Sequence, residues 1–186
     1  MKTNTKEKND SWIYILLLTT LLILTESIKN FKFTVLDVKL TYALFLLPIA
    51  YFLINFIAKK YNYKRAIAAT AVSGVVFTSF SFIMAYVLDS NYILRSISGE
   101  FCSYVVSAFV NLTIYLFLLD NTECPQVLVL FNYIFSLVIY YMFYTLLYLN
   151  MIIFDTYWLG YFITLSIQIF ICIGLSIVDK KVKRGQ

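Results

Sequence analysis

Two carboxylates, Glu26 and Glu100, and the carboxamides Asn55, Asn111, Asn132 and Gln168 stand inside long apolar stretches of this 186-residue chain. An ionisable group in such surroundings is costly, so it marks a solute path, a proton relay or a paired interhelical contact. A carboxamide there both donates and accepts hydrogen bonds but carries no proton. Counted at about 100° per residue, Glu100, Tyr104, Ser107 and Asn111 share one helical face. Tyr161, Thr164 and Gln168 form a comparable stripe, and Asn132 and Ser136 lie one turn apart in a third segment. Many neutral donors and acceptors beside one or two carboxylates suit an uncharged or weakly cationic hydrogen-bonding solute better than an inorganic ion. The same stripes also fit a hydrogen-bonded seam between helices.

Chemistry of the soluble-enzyme kind has no residues to work with. The chain has no histidine, and Cys102, Cys124 and Cys172 lie apart without paired spacing, which argues against a zinc site or a Cys/His nucleophile. The cysteines read as small packing residues. No phosphate-cradling glycine loop, zinc-protease motif or Ser/His/Asp set occurs, and no carboxylate pair or Ser–Lys couple stands at matched depth. The expectation is a non-enzyme with no catalytic residue, metal ligand or cofactor.

The elements that must position the polar residues are six apolar runs, near residues 12–28, 38–58, 66–88, 97–119, 127–149 and 157–178. A bilayer's hydrocarbon core is about 30 Å thick and takes roughly 20 apolar residues of helix to cross. Hydrophobic residues are 61% of the chain and charged residues 13%, against about 25% charged in soluble domains. The runs are continuous and not alternating, which excludes a β-barrel. The predicted fold is therefore all-α, a polytopic integral membrane bundle of six transmembrane helices. It divides into a polar tail at 1–11, a transmembrane domain at 12–178 and a basic tail at 179–186. The first run is too long for a typical signal peptide and no small-residue cleavage site follows Glu26, so a retained helix is expected. Phe31–Leu40 alternates apolar with polar residues, which fits a short interfacial strand or a re-entrant piece. Pro48 falls inside the second run, where a neighbouring helix must satisfy the carbonyl it frees; a kink there would open space for a ligand or simply bend the helix. Ala66, Thr70, Ser73, Gly74, Thr78 and Ser81 give the third run a small-residue face suited to close packing.

Charge follows topology. With six spans, the tails and the even-numbered loops share one side and hold eleven of the fifteen basic residues. Positive-inside asymmetry then places both termini in the cytoplasm of a bacterial plasma membrane. The basic tails are short and lack interleaved aromatics, so nucleic acid is not an expected partner. The expected partners are a small-molecule solute and the lipid bilayer, with a homo-oligomer left open.

Two stretches resemble the queuosine precursor transporter family, also known as the VUT or vitamin uptake family. In the first, Pro48, Tyr61, Arg65 and Ala66 keep the family spacing, with Asn55 in place of an Asp, Lys59 in place of a Glu and Asn62 in place of a Gly. In the second, Arg95 leads a helix with small residues after it, and Asn111 stands near a family Asp. The resemblance covers roughly residues 40–118. It implies a six-helix inner-membrane importer of a deazapurine precursor or related vitamin-like solute. The acid-to-amide changes leave Asn55 and Asn111 able to hold a neutral heterocycle and shift proton coupling to Glu26 or Glu100. The expected binding set is Asn55, Glu100, Tyr104, Ser107, Asn111 and Gln168. Two other readings compete. A substrate-binding subunit of an energy-coupling-factor vitamin transporter would dock its coupling partner through an alanine-rich first helix, and Trp12–Ile28 contains no alanine. A non-transporting membrane interaction protein would also tolerate the amides.

Overall fold

The computed structural model describes residues 5–28, 31–35, 38–87, 93–120, 126–149 and 154–182. Six helices fill it: α1 (Thr5–Ile28), α2 (Leu46–Lys60), α3 (Tyr63–Val87), α4 (Ile93–Asp120), α5 (Gln126–Tyr144) and α6 (Phe154–Lys181). All six are long and apolar enough to cross a membrane, once the turn Tyr42–Phe45 is joined to α2. The chain is thus the all-α polytopic membrane bundle that its apolar runs imply.

Side chains are sorted as lipid requires. Leu16, Phe117, Phe162 and Phe170 point outward, whereas Asn55, Ser73, Ser107, Asn111, Asn132 and Gln168 are enclosed. Hydroxyls along the helices return their hydrogens to their own backbone, as Thr70 does to the Ala66 carbonyl (2.9 Å) and Ser136 to the Asn132 carbonyl (2.7 Å). That removes the need for water, which hydrocarbon cannot supply.

α2 is the most enclosed helix and touches α1, α3, α4, α5 and α6. α4 lies beside it and packs on α3 and α5. The small-residue face of α3 does serve close packing: Ala66, Ser73 and Gly74 are buried, and a Cβ on Gly74 would stand 3.5–3.7 Å from Phe101, Tyr104 and Val105 of α4.

Several boundaries differ from the apolar runs. α1 begins at Thr5, within the polar tail, and α6 continues to Lys181. Residues 1–4 and 183–186, with Cys124, lie outside the described residues. The alternating segment after α1 forms strands: β1 (Lys32–Val35) pairs antiparallel with β2 (Val38–Thr41), Phe33 opposite Leu40. Leu40 and Leu44 then pack on Ile163 of α6.

Pro48 corrects the expectation of a mid-helix kink. A 3-10 turn over Tyr42–Phe45, capped by Thr41, comes first, and α2 starts only two residues before the proline. The first turn of a helix tolerates a missing N–H. The carbonyl four residues earlier is that of Leu44, and Gln168 Nε2 on α6 donates to it at 2.7 Å while Tyr141 donates to Gln168 Oε1 at 3.1 Å. Gln168→Leu therefore leaves a buried carbonyl unmet, at about 1–3 kcal/mol. Its melting temperature in detergent micelles should fall by several degrees, and Pro48→Ala, which restores an N–H, should recover most of that loss.

Candidate functional site

The polar residues of α2 and α4 meet rung by rung. Tyr51 donates to Ser107 Oγ at 2.6 Å, and Asn55 and Asn111 exchange two amide hydrogen bonds, at 2.8 and 3.3 Å; each pair is separated by 56 residues in the chain. Lys59 and Tyr115 stand at the same offset and meet on Asp179 of α6. Tyr115 donates to Asp179 Oδ1 at 2.6 Å, and Lys59 Nζ donates to the Asp179 carbonyl at 2.6 Å and to Oδ2 at 3.1 Å. The helices run parallel, so residues four apart on each climb together, about 6 Å per rung.

The middle rung is a cluster of three carboxamides. Asn132 of α5 donates through Nδ2 to Asn111 Oδ1 at 2.9 Å and to the Asn111 carbonyl at 3.1 Å. Asn55 and Asn111 are fully enclosed and Asn132 nearly so. Tyr133 is enclosed as well, and its hydroxyl sits beside the Asn55 amide without the geometry of a hydrogen bond. The cluster thus presents neutral donors and acceptors from three helices at one depth.

Above it the ladder continues in hydroxyls and aromatics. Ser107 back-bonds to the Ser103 carbonyl at 2.6 Å, and Tyr104 shares a 3.2 Å hydrogen bond with Ser73 of α3. Glu100 is buried within electrostatic reach of Tyr140. Tyr140 stacks on Tyr144 with ring centres 6.2 Å apart and meets Tyr141 edge-on at 5.4 Å; Tyr141 in turn contacts Tyr161 at 5.3 Å. This region holds a carboxylate among phenol faces, and the amide cluster holds none.

The six expected binding residues are therefore all enclosed but do not form one group. Asn55 and Asn111 are in direct contact, Ser107 is one turn above them, and Tyr104 turns to α3. Gln168 serves the Leu44 carbonyl, and Glu100 belongs to the tyrosine region. Glu26 is half-buried in the last turn of α1, at the end of the bundle away from Lys59. Tyr51, Tyr115, Tyr133 and Asp179 are not among the residues expected from the sequence, and Asn132 stands there only as half of a stripe. The repeating offset between Tyr51–Asn55–Lys59 and Ser107–Asn111–Tyr115 was the signal that could have paired them.

Lys59 and Asn62 each have a local partner. Lys59, where an acid was expected, finds one in Asp179. Asn62, in place of a glycine, caps α3 by accepting from the Arg65 N–H at 2.9 Å. No family model, curated protein or solved structure matches the chain.

The Lys59–Asp179 pair is largely withdrawn from solvent, with side chains 13% and 5% exposed. Removing one member of such a pair strands the other and costs about 3–5 kcal/mol, whereas replacing both with apolar residues is far less harmful. Lys59→Met should thus be strongly destabilised in thermal unfolding, and the Lys59→Met/Asp179→Leu double variant should melt well above it.

Proposed function

We propose that this chain imports a small heterocyclic solute across a bacterial cytoplasmic membrane and binds it within the bundle. The observation that carries this reading is the convergence of Asn55, Asn111 and Asn132, from three helices, at one depth of a bundle with an apolar exterior. Carboxamides match the mixed donor and acceptor edge of a neutral heterocycle. The aromatic faces around Glu100 favour a planar or weakly cationic solute on its way to them. The likeness of residues 40–118 to queuosine precursor transporters supports a deazapurine or a related vitamin-like compound as the cargo.

In this reading both termini face the cytoplasm, and the Lys59–Asp179–Tyr115 contact closes the cytoplasmic end below the amides. On the same reading Glu100 is the buried carboxylate nearer the outer end that carries a proton with the solute, and Glu26 is a second carboxylate at that end. A second reading, a non-transporting membrane interaction protein, is favoured by the reciprocal Asn55–Asn111 bonding, which also serves as a helix-pairing seam.

The test is uptake of radiolabelled queuosine precursors by cells lacking their own importer. The importer predicts saturable uptake when the chain is expressed, abolished by Glu100→Gln and lowered at least tenfold by Asn111→Ala. Verified membrane insertion with no uptake above background selects the interaction protein instead.

A further inference from the structure

The amide cluster is not closed on itself. Asn132 Oδ1 and Tyr133 Oη are buried and find no hydrogen-bond partner among the described residues. Asn132 is 2% exposed and Tyr133 is fully enclosed. An unmet polar atom is disfavoured in any protein interior, and more so in one surrounded by lipid. Two such atoms on consecutive residues of one helix, both beside a carboxamide pair, call for a common explanation.

Their placement supplies it. Consecutive helical residues point about 100° apart, so Asn132 and Tyr133 address different neighbours. Asn132 is fixed through Nδ2 to Asn111 of α4. Tyr133 lies beside Asn55 of α2 and near Asp179 and Cys172 of α6. The two unmet atoms therefore belong to side chains that touch opposite members of the Asn55–Asn111 pair. That pair joins one O=C–N–H face to another, and its two bonds are unequal, 2.8 and 3.3 Å. A neutral cyclic amide carries the same O=C–N–H face. Such a solute can replace one carboxamide of the pair, present an N–H to Asn132 Oδ1 and bond the Tyr133 hydroxyl.

We infer that Asn132 Oδ1 and Tyr133 Oη are specificity-determining contacts for a neutral cyclic amide, which makes α5 the helix that reads the solute. This rests on the importer reading and extends it to residues of α5. The opposing explanation is an ordered water that occupies the two atoms as part of the resting fold.

The two accounts separate in the full-length protein in lipid nanodiscs, with 7-deazaguanine as probe and its N1-methylated form as the analogue lacking the amide N–H. Tyr133→Phe removes an unmet hydroxyl, so the ligand-free melting temperature should rise by about 2–4 °C. Affinity for 7-deazaguanine should drop at least tenfold, and the N1-methylated probe should bind the wild type at least tenfold more weakly. Ser81→Ala removes another buried hydroxyl without a partner, on α3 away from the cluster, and should leave affinity unchanged. Equal binding by wild type and Tyr133→Phe overturns this inference and leaves the importer reading standing. So does a lower melting temperature for Tyr133→Phe, because the hydroxyl would then be bonded in the resting fold. No binding of 7-deazaguanine by the wild type overturns both.

Discussion

A polar group enclosed in a bundle bounded by lipid must find its partner inside the bundle, and the Asn55–Asn111 amide pair is where that constraint shapes the rest. Two carboxamides that donate and accept in turn hold α2 and α4 at a single register. Shifting either helix by one residue would move its polar side chains by about 100° and strand them against apolar neighbours. With that register set, the rungs above and below fall into place, Tyr51 on Ser107 and Lys59 with Tyr115 on Asp179. α5 joins through Asn132, and α6 joins at two heights, through Asp179 and through Gln168. The bundle is organised by a polar spine while its lipid-facing surface carries little but apolar contact area.

The spine changes character along its length, and the change bears on function. Its basic end is an ion pair with a phenol, its middle is neutral amide, and its upper part is hydroxyl and aromatic around Glu100. A solute passing along it would meet aromatic faces and one carboxylate, then carboxamides, then a tie that joins three helices. In the importer reading each stage would use a different interaction, so that a ligand is held without being trapped at one strong site. Amides at the middle of the spine are coherent with this order. Charge is confined to the two ends of the spine, and the centre is left to hydrogen-bond matching.

Much of the fold was legible because transmembrane helices announce themselves by length and apolarity. The six runs and the inward face of α4, from Glu100 to Asn111, follow from composition and a 3.6-residue period alone. Partner choice does not follow from periodicity, because a helical wheel shows which way a residue points and not what it meets. Gln168 therefore looked like a ligand contact, whereas it replaces the N–H that Pro48 lacks. Asp179 looked like part of a basic tail because it sits among lysines, yet it is buried and paired. The start of α2 was misplaced for a related reason. The 3-10 turn Tyr42–Phe45 is as apolar as the helix it precedes, and hydropathy does not distinguish them.

In the importer reading the paired amides of α2 and α4 are a recognition surface as well as a helix seam. The most direct measurement is equilibrium binding of a radiolabelled deazapurine to the Asn55→Leu/Asn111→Leu double variant. Replacing both partners of a buried hydrogen bond with apolar groups of similar size leaves little unmet, and Asn132 Nδ2 keeps the backbone carbonyl of residue 111, so the bundle should remain folded, with a melting temperature within several degrees of wild type. This folded variant should bind no deazapurine at concentrations that saturate the wild type. Undiminished binding by the folded double variant would contradict that reading and reduce the amide pair to packing alone.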